Sequence, residues 1–318
     1  MPQETRIVGL DIAKGKVDAC IHSLGLRLTA PSTAEGEAKL VAWLRANRVG
    51  RAVMEASGGY ERSWAEALRA AGLAVRVVDP KRVRHFAKAA GRLAKNDPID
   101  AETIARFAEA FPDGGAQPHD RAREELARLV QAREALKDVQ ERIKQQREHQ
   151  PPAIVVEALA AVAKTLRAEM RKLEASIASR IKANPAFAHR AELIDGVPGL
   201  GDQTVAGLIA WLPELGRIPN EAASALLGAA PYDDDSGQRK GVRSIRGGRR
   251  KLRNLLYMAV VGAATQHNPV LKAYYRRLLA RGKEPKVAIV ACMRKLIVIL
   301  NTMLARDEPW TPPAQAAP

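Results

Sequence analysis

Aromatic residues are scarce, 4% of a 318-residue chain. That excludes a binding mode resting mainly on stacking unpaired bases against aromatic side chains. Cysteine is scarcer still: Cys20 and Cys292 stand far apart, one in a strand-like run and one in an apolar helix-like run. This is neither a disulfide framework nor a metal cluster, and both are expected as buried thiols. No secretory leader and no run of roughly 18 apolar residues is seen, so a soluble intracellular protein with no membrane partner is expected. Acid is in deficit, with 35 Asp and Glu against 51 Lys and Arg, a formal charge of +16. A surplus of that size attracts a polyanion, and nucleic acid held through its charged backbone is the leading partner. The length exceeds the ~100 to 200 residues of one domain, so two or three units are expected.

The chain opens with three short runs, Ile7-Val8-Gly9-Leu10-Asp11-Ile12, Val17-Asp18-Ala19-Cys20-Ile21 and Leu26-Arg27-Leu28-Thr29, separated by Lys-Gly and Leu-Gly turns. Connections that short make adjacent antiparallel strands. A helical segment ending near Asn47, the run Ala52-Val53-Met54-Glu55, a helix over 60–71 and a strand over 74–78 follow, and this alternation implies parallel crossover units. The order is that of an RNase H-like mixed sheet. A further helix runs from Pro98 to about Ala110, and the Pro- and Gly-dense residues 111–118 read as a linker.

Beyond the linker lies a charged, helix-favouring stretch with Leu126, Leu129, Leu136, Val139 and Ile143 on one side, interrupted by Pro151-Pro152. A second long helix then places Leu159, Val162, Leu166, Met170, Leu173, Ile177 and Ile181 at spacings of three and four. The pair suggests an antiparallel coiled-coil hairpin, either a dimerisation stalk or a packing face within one monomer. The remainder is helical and rich in Gly turns, and a disordered tail is expected. The fold class is thus α/β plus α: an RNase H-like domain over 1–117, coiled-coil helices over 118–186, a basic helical domain over 187–307 and a tail over 308–318.

Four acids stand out. Asp11 and Glu55 each sit at the end of an apolar strand, where a carboxylate is costly to bury without a charge partner. Asp97 and Asp100 share one face of a first helical turn. Asp97 also reads as an N-cap before Pro98, and Asp100 as a complement to the helix dipole. As a set, two at strand ends and two at a helix start fit a two-Mg²⁺ site for phosphoryl chemistry, with hard oxygen ligands and ions about 4 Å apart. Mn²⁺ would substitute. Further on, Ile194-Asp195-Gly196-Val197-Pro198-Gly199-Leu200-Gly201 reads either as a phosphate-binding hairpin between helices or as a plain turn. Arg239, Lys240, Arg243, Arg246, Arg249, Arg250, Lys251 and Arg253 form an acid-free block suited to phosphate contact. Ser236, just upstream, reads on its own as a turn serine.

The runs Gly9-Leu10-Asp11-Ile12-Ala13-Lys14, Met54-Glu55-Ala56-Ser57-Gly58-Gly59-Tyr60 and Lys95-Asn96-Asp97-Pro98-Ile99-Asp100-Ala101 resemble the DEDD-type insertion-sequence transposases, a family that includes pilin-gene invertases. The resemblance extends to the Ser236-Gly237 pair, the basic block with Gly247-Gly248-Arg249-Arg250, and Leu252-Arg253-Asn254-Leu255-Leu256-Tyr257. It implies a RuvC-like amino-terminal domain, metal-binding Asp11, Glu55, Asp97 and Asp100, and Ser236 as nucleophile. It further implies donor and target double-stranded DNA as partners, a bridge RNA as guide, a dimer or tetramer, and a bacterial or archaeal cytoplasm with nucleoid association. Two other readings stay open: a metal-dependent nuclease or Holliday-junction resolvase using water, and a non-catalytic nucleic-acid-binding scaffold.

Overall fold

The computed structural model describes residues 6–91, 97–112, 120–149, 152–233, 241 and 244–311, with backbone alone for 97–99. The contacts divide the chain into two compact units, Met1–His119 and Asp120–Pro318.

The first unit is built on a five-stranded sheet of order β3-β2-β1-β4-β5. Its strands are β1 (Arg6–Ile12), β2 (Lys16–Ile21), β3 (Leu26–Pro31), β4 (Val49–Glu55) and β5 (Ala74–Val78). β1, β2 and β3 pair antiparallel, as the short turns require, while β4 lies parallel to both β1 and β5. Alternation sorts the side chains. Val8, Leu10 and Ile12 of β1, with Val17, Ala19 and Ile21 of β2 and Ala52 and Met54 of β4, form a core with α1 (Ala34–Ala46) and α2 (Glu61–Ala70). The opposite face, with Val53 and Val78, packs against α3 (Pro80–Ala89) and α4 (Asp97–Ala110). The sequence reading missed α3, a strongly basic helix, although its start is signalled by an Asp79 side chain accepting from the Lys81 amide and by Pro80 in the first turn.

α4 lies directly on β1. A Cβ at Gly9 would stand 2.3 Å from both the Ala101 carbonyl oxygen and the Ala105 nitrogen, so the helix approaches to a distance that only glycine permits.

The second unit begins with α5 (Arg121–Glu148) and α6 (Ala153–Ala183). They are antiparallel: Arg133 pairs with Glu174, and Arg180 with Glu125. Their base is part of a larger core, because Leu126, Val130 and Ile177 are buried together with Leu208, Ile209, Leu296 and Leu300. α7 (Pro185–Asp195), α8 (Asp202–Trp211), α9 (Asn220–Leu227), the two-stranded pair β6 (Pro231–Tyr232) and β7 (Ser244–Ile245), α10 (Arg250–Gly262), α11 (Pro269–Ala280) and α12 (Pro285–Arg306) complete it. No uninterrupted run of about 18 apolar residues occurs, yet α12, with Arg294 and Lys295 in its middle, meets the length and composition of a membrane-crossing helix. Its apolar face is spent in the core, where Ile289, Cys292, Met293, Leu296, Ile297 and Leu300 are buried. The remaining described tail residues end at Thr311, and the rest of the expected disordered tail falls outside the described residues.

Candidate active site

Asp11 is the penultimate residue of β1 and Glu55 the last residue of β4; both are partly buried. The parallel register runs through Leu10 and Met54, so Asp11 and Glu55 occupy the next position on neighbouring strands. Both fall on the face covered by α4, since Leu10 and Met54 face the other core. Asp97 begins α4, and its side chain lies outside the described residues. Asp100 stands in the first turn, partly buried, one residue before the Ala101 carbonyl that closes on Gly9. The close approach at Gly9 therefore brings the start of α4 to the end of β1 that carries Asp11.

The donor set is carboxylate oxygen throughout, the chemistry that hard divalent cations select. The elements deliver the acids to one end of the sheet. Among the described residues, no three His, Cys, Asp or Glu side chains are gathered closely enough to enclose an ion.

Two residues that sequence reasoning overlooked shape this end. Asp18 lies directly opposite Asp11 in the antiparallel register and is 8% exposed. Like charges in that position repel. Here Lys16 Nζ stands 2.9 Å from the Asp18 carboxylate and the Thr29 hydroxyl donates to it. The period-two position of Asp18 was the available signal. Glu61 locks the turn after Glu55: one oxygen accepts from the Ser57 amide, the Ser57 hydroxyl and the Gly59 amide, at 2.9, 2.9 and 2.8 Å. Burial pushes the Glu61 carboxyl up, but these donors outweigh it and hold the group below its ordinary value.

Ser236, Arg239, Lys240 and Arg243 lie outside the described residues. Both flanks of their segment are described, as β6 and β7 pair antiparallel through Pro231 with Ile245 and Tyr232 with Ser244. The rest of the basic block divides. Arg246, Arg250 and Lys251 are exposed. Arg249 turns inward, donating to both oxygens of Glu214 and to the Trp211 carbonyl. Arg253 donates to the Gly247 carbonyl at 2.8 Å. Gly248, at φ +69°, passes so close to Gly228 that a Cβ would stand 2.2 Å from its nitrogen. The hairpin over 196–201 joins α7 to α8, and Asn268 Nδ2 donates to its Pro198 carbonyl at 3.3 Å.

The chain matches two family models. One, described as a transposase and named for the IS110 type of DEDD transposases, covers residues 8–150, and one described as the transposase IS116/IS110/IS902 family covers residues 191–276. It is 26% identical over 322 residues to the pilin gene-inverting protein of Moraxella bovis, covering 95% of this chain and 97% of that protein. The protein of the same name from Moraxella lacunata matches to the same extent, 26% over 322 residues. An uncharacterized 43.6 kDa protein of insertion element IS110 from Streptomyces coelicolor is 30% identical over 153 residues, 48% of this chain and 36% of that one. With both models matching in order along the chain, it belongs to the IS110-type transposase family and is a DNA transposase or recombinase.

Proposed function

We propose that this transposase cuts and exchanges strands of insertion-sequence DNA through a serine nucleophile, Ser236, assisted by divalent metal at Asp11, Glu55, Asp97 and Asp100. The observation that carries the metal reading is the contact of Gly9 with Ala101, which puts the start of α4 at the strand ends bearing Asp11 and Glu55. Mg²⁺, as a pair of ions with Mn²⁺ able to replace it, would stabilise charge developing on the phosphate oxygens. The acids fix that charge at one end of the sheet, and Glu61 holds the turn following Glu55 so that its carboxylate keeps its place.

Ser236 Oγ forms a bond to the DNA phosphorus while the bond from phosphorus to the leaving strand oxygen breaks. The proton passes to the departing strand as its hydroxyl. The intermediate is still a phosphodiester, joined to Ser236 and to one strand, so a hydroxyl of another strand can attack phosphorus, breaking the bond to Ser236 Oγ and completing exchange without a nucleotide cofactor. Arg246, Arg250 and Lys251 are exposed, whereas Glu214 engages Arg249, and they face the duplex backbone. Two strands are cut together, which calls for at least a dimer, with the helical hairpin of α5 and α6 as its means. A structured bridge RNA supplies target and donor pairing, in a cytoplasmic, nucleoid-associated assembly.

The test compares cleavage and joining of donor and target DNA by the wild type, Asp11→Ala and Ser236→Ala, with Mg²⁺ and with chelator, and scores co-purifying RNA. The reading predicts loss of activity in both variants and in chelator. Cleavage that survives Ser236→Ala but not Asp11→Ala would identify a water-using nuclease. Full activity on bare DNA from RNA-free protein would remove the guide.

A further inference from the structure

Arg76 of β5, opposite Val53 in the parallel register and two positions short of the level of Glu55, is 7% exposed. A guanidinium stays charged wherever it lies, so its nitrogens need acceptors. Nη1 donates to the Phe111 carbonyl at 2.6 Å, just past the end of α4, and the group stands 5.6 Å from the Phe107 ring centroid. Nη2 is buried and has no hydrogen-bond partner among the described residues.

Two more guanidinia surround it. Arg82 of α3 is exposed and stands 5.6 Å from the same Phe107 ring. Arg51 of β4 is partly exposed and donates to the Pro112 carbonyl at 3.3 Å. Burial lowers the Arg76 pKa, and the charges of Arg82 and Arg51 lower it further. Among the described residues no carboxylate pairs with any of the three. Carbonyls at the end of α4 offset part of that charge through the helix dipole. They do not supply an anion, and a guanidinium fork fits an oxyanion better than a carbonyl.

We propose that Arg51, Arg76 and Arg82 form an oxyanion site that takes a phosphodiester group of a nucleic-acid backbone. Arg51 and Arg82 reach the phosphate from the surface, and Arg76 supplies charge from beneath. Ten residues of α4 separate Asp100 from the helix end whose following carbonyls Arg76 and Arg51 engage, about 15 Å at roughly 1.5 Å per residue. The site is thus an anchor remote from the reacting phosphate, and it depends on neither Ser236 nor a metal.

The test uses the full chain and the Arg51→Gln/Arg82→Gln double variant, which leaves Arg76 and its carbonyl bond in place. Three readouts are taken: thermal stabilisation by inorganic phosphate, and the salt dependence of binding to a duplex DNA and to a hairpin RNA. The wild type is expected to gain saturable stabilisation from phosphate that the variant lacks. The variant's plot of log affinity against log salt is expected to flatten by about 1 for whichever nucleic acid occupies the site. Flattening for DNA alone or RNA alone names the source, and flattening for both assigns a shared backbone contact. Unchanged slopes for both overturn the proposal, and phosphate stabilisation lost with both slopes intact would leave a small-anion site only. Equal melting temperatures in phosphate-free buffer show that the variant is folded. A lower one assigns the two arginines to the scaffold and likewise overturns it.

Discussion

Arg249 donates to both carboxylate oxygens of Glu214, at 2.7 and 2.5 Å, and to the Trp211 carbonyl at 2.7 Å. An arginine in the most basic stretch of the chain is thereby engaged by the protein itself, with 35% of its side chain still exposed. Together with its backbone amide, which donates to the Leu226 carbonyl at 2.7 Å, it fixes where the basic block enters α10. Exposed arginines on either side are then presented from a fixed base.

Removing Glu214 tests that role. Glu214→Gln keeps the shape but leaves the Arg249 charge unmatched, with an expected cost of about 2 kcal/mol, measured by denaturant unfolding. Burial raises the Glu214 carboxyl, while the hydrogen bond and charge of Arg249 lower it further than burial raises it. A depressed carboxylate stabilises above its unfolded pKa and loses that contribution as pH falls through the folded one. The gap between wild type and variant should therefore close in acid below the ordinary glutamate range, and a gap that persists there would contradict the assignment.

Gly9→Ala should strike the end of the sheet that carries Asp11 and Glu55, through α4. The added methyl would meet backbone atoms of Ala101 and Ala105 at 2.3 Å, and backbone cannot step aside as a side chain does. An overpacking cost of about 2 kcal/mol is expected, with strand cleavage falling more than stability. Gly15→Ala, with nothing within 4 Å, serves as the control and should leave both unchanged.

Glu61→Gln weakens the acceptor that gathers the Ser57 and Gly59 amides. The expected loss is about 1 kcal/mol at neutral pH, measured by thermal unfolding. Because the Glu61 carboxyl is held below its ordinary value, its contribution is complete above the unfolded pKa and fades as pH drops through the depressed one. An equal effect at neutral and strongly acidic pH would count against this.

Both thiols should be silent in the folded protein. Cys292 is buried, and burial pushes its thiol up to about 11, while Cys20 is buried and raised in the same direction. Iodoacetamide at mildly alkaline pH should label neither until denaturant is added. Labelling of Cys292 in native protein would show that α12 leaves its packed position.

The mixed sheet was legible because its turns are short: Lys-Gly and Leu-Gly connections leave β1, β2 and β3 no choice but antiparallel pairing. Asp11 and Glu55 could be placed because apolar runs end on them. Asp18 was quoted within its strand yet not weighed, since its position opposite Asp11 belongs to the register between strands, not to either strand alone. α3 escaped because Lys81, Arg82, Arg84, His85 and Lys88 obscure its apolar spacing, and the Asp79-Pro80 start was the stronger signal. The inward turn of Arg249 and Arg253 could not be read from composition at all. Charge density says where arginines are, and only tertiary packing says which of them Glu214 and Gly247 have already engaged.

The most direct test of the central claim is to incubate the protein with Mg²⁺, any RNA that co-purifies with it and labelled target DNA, then resolve products under denaturing conditions with and without Ser236→Ala. A denaturant-resistant protein-DNA adduct that is absent from the variant is the predicted result. Free cleaved ends with no adduct in either protein would contradict it and assign the chemistry to water.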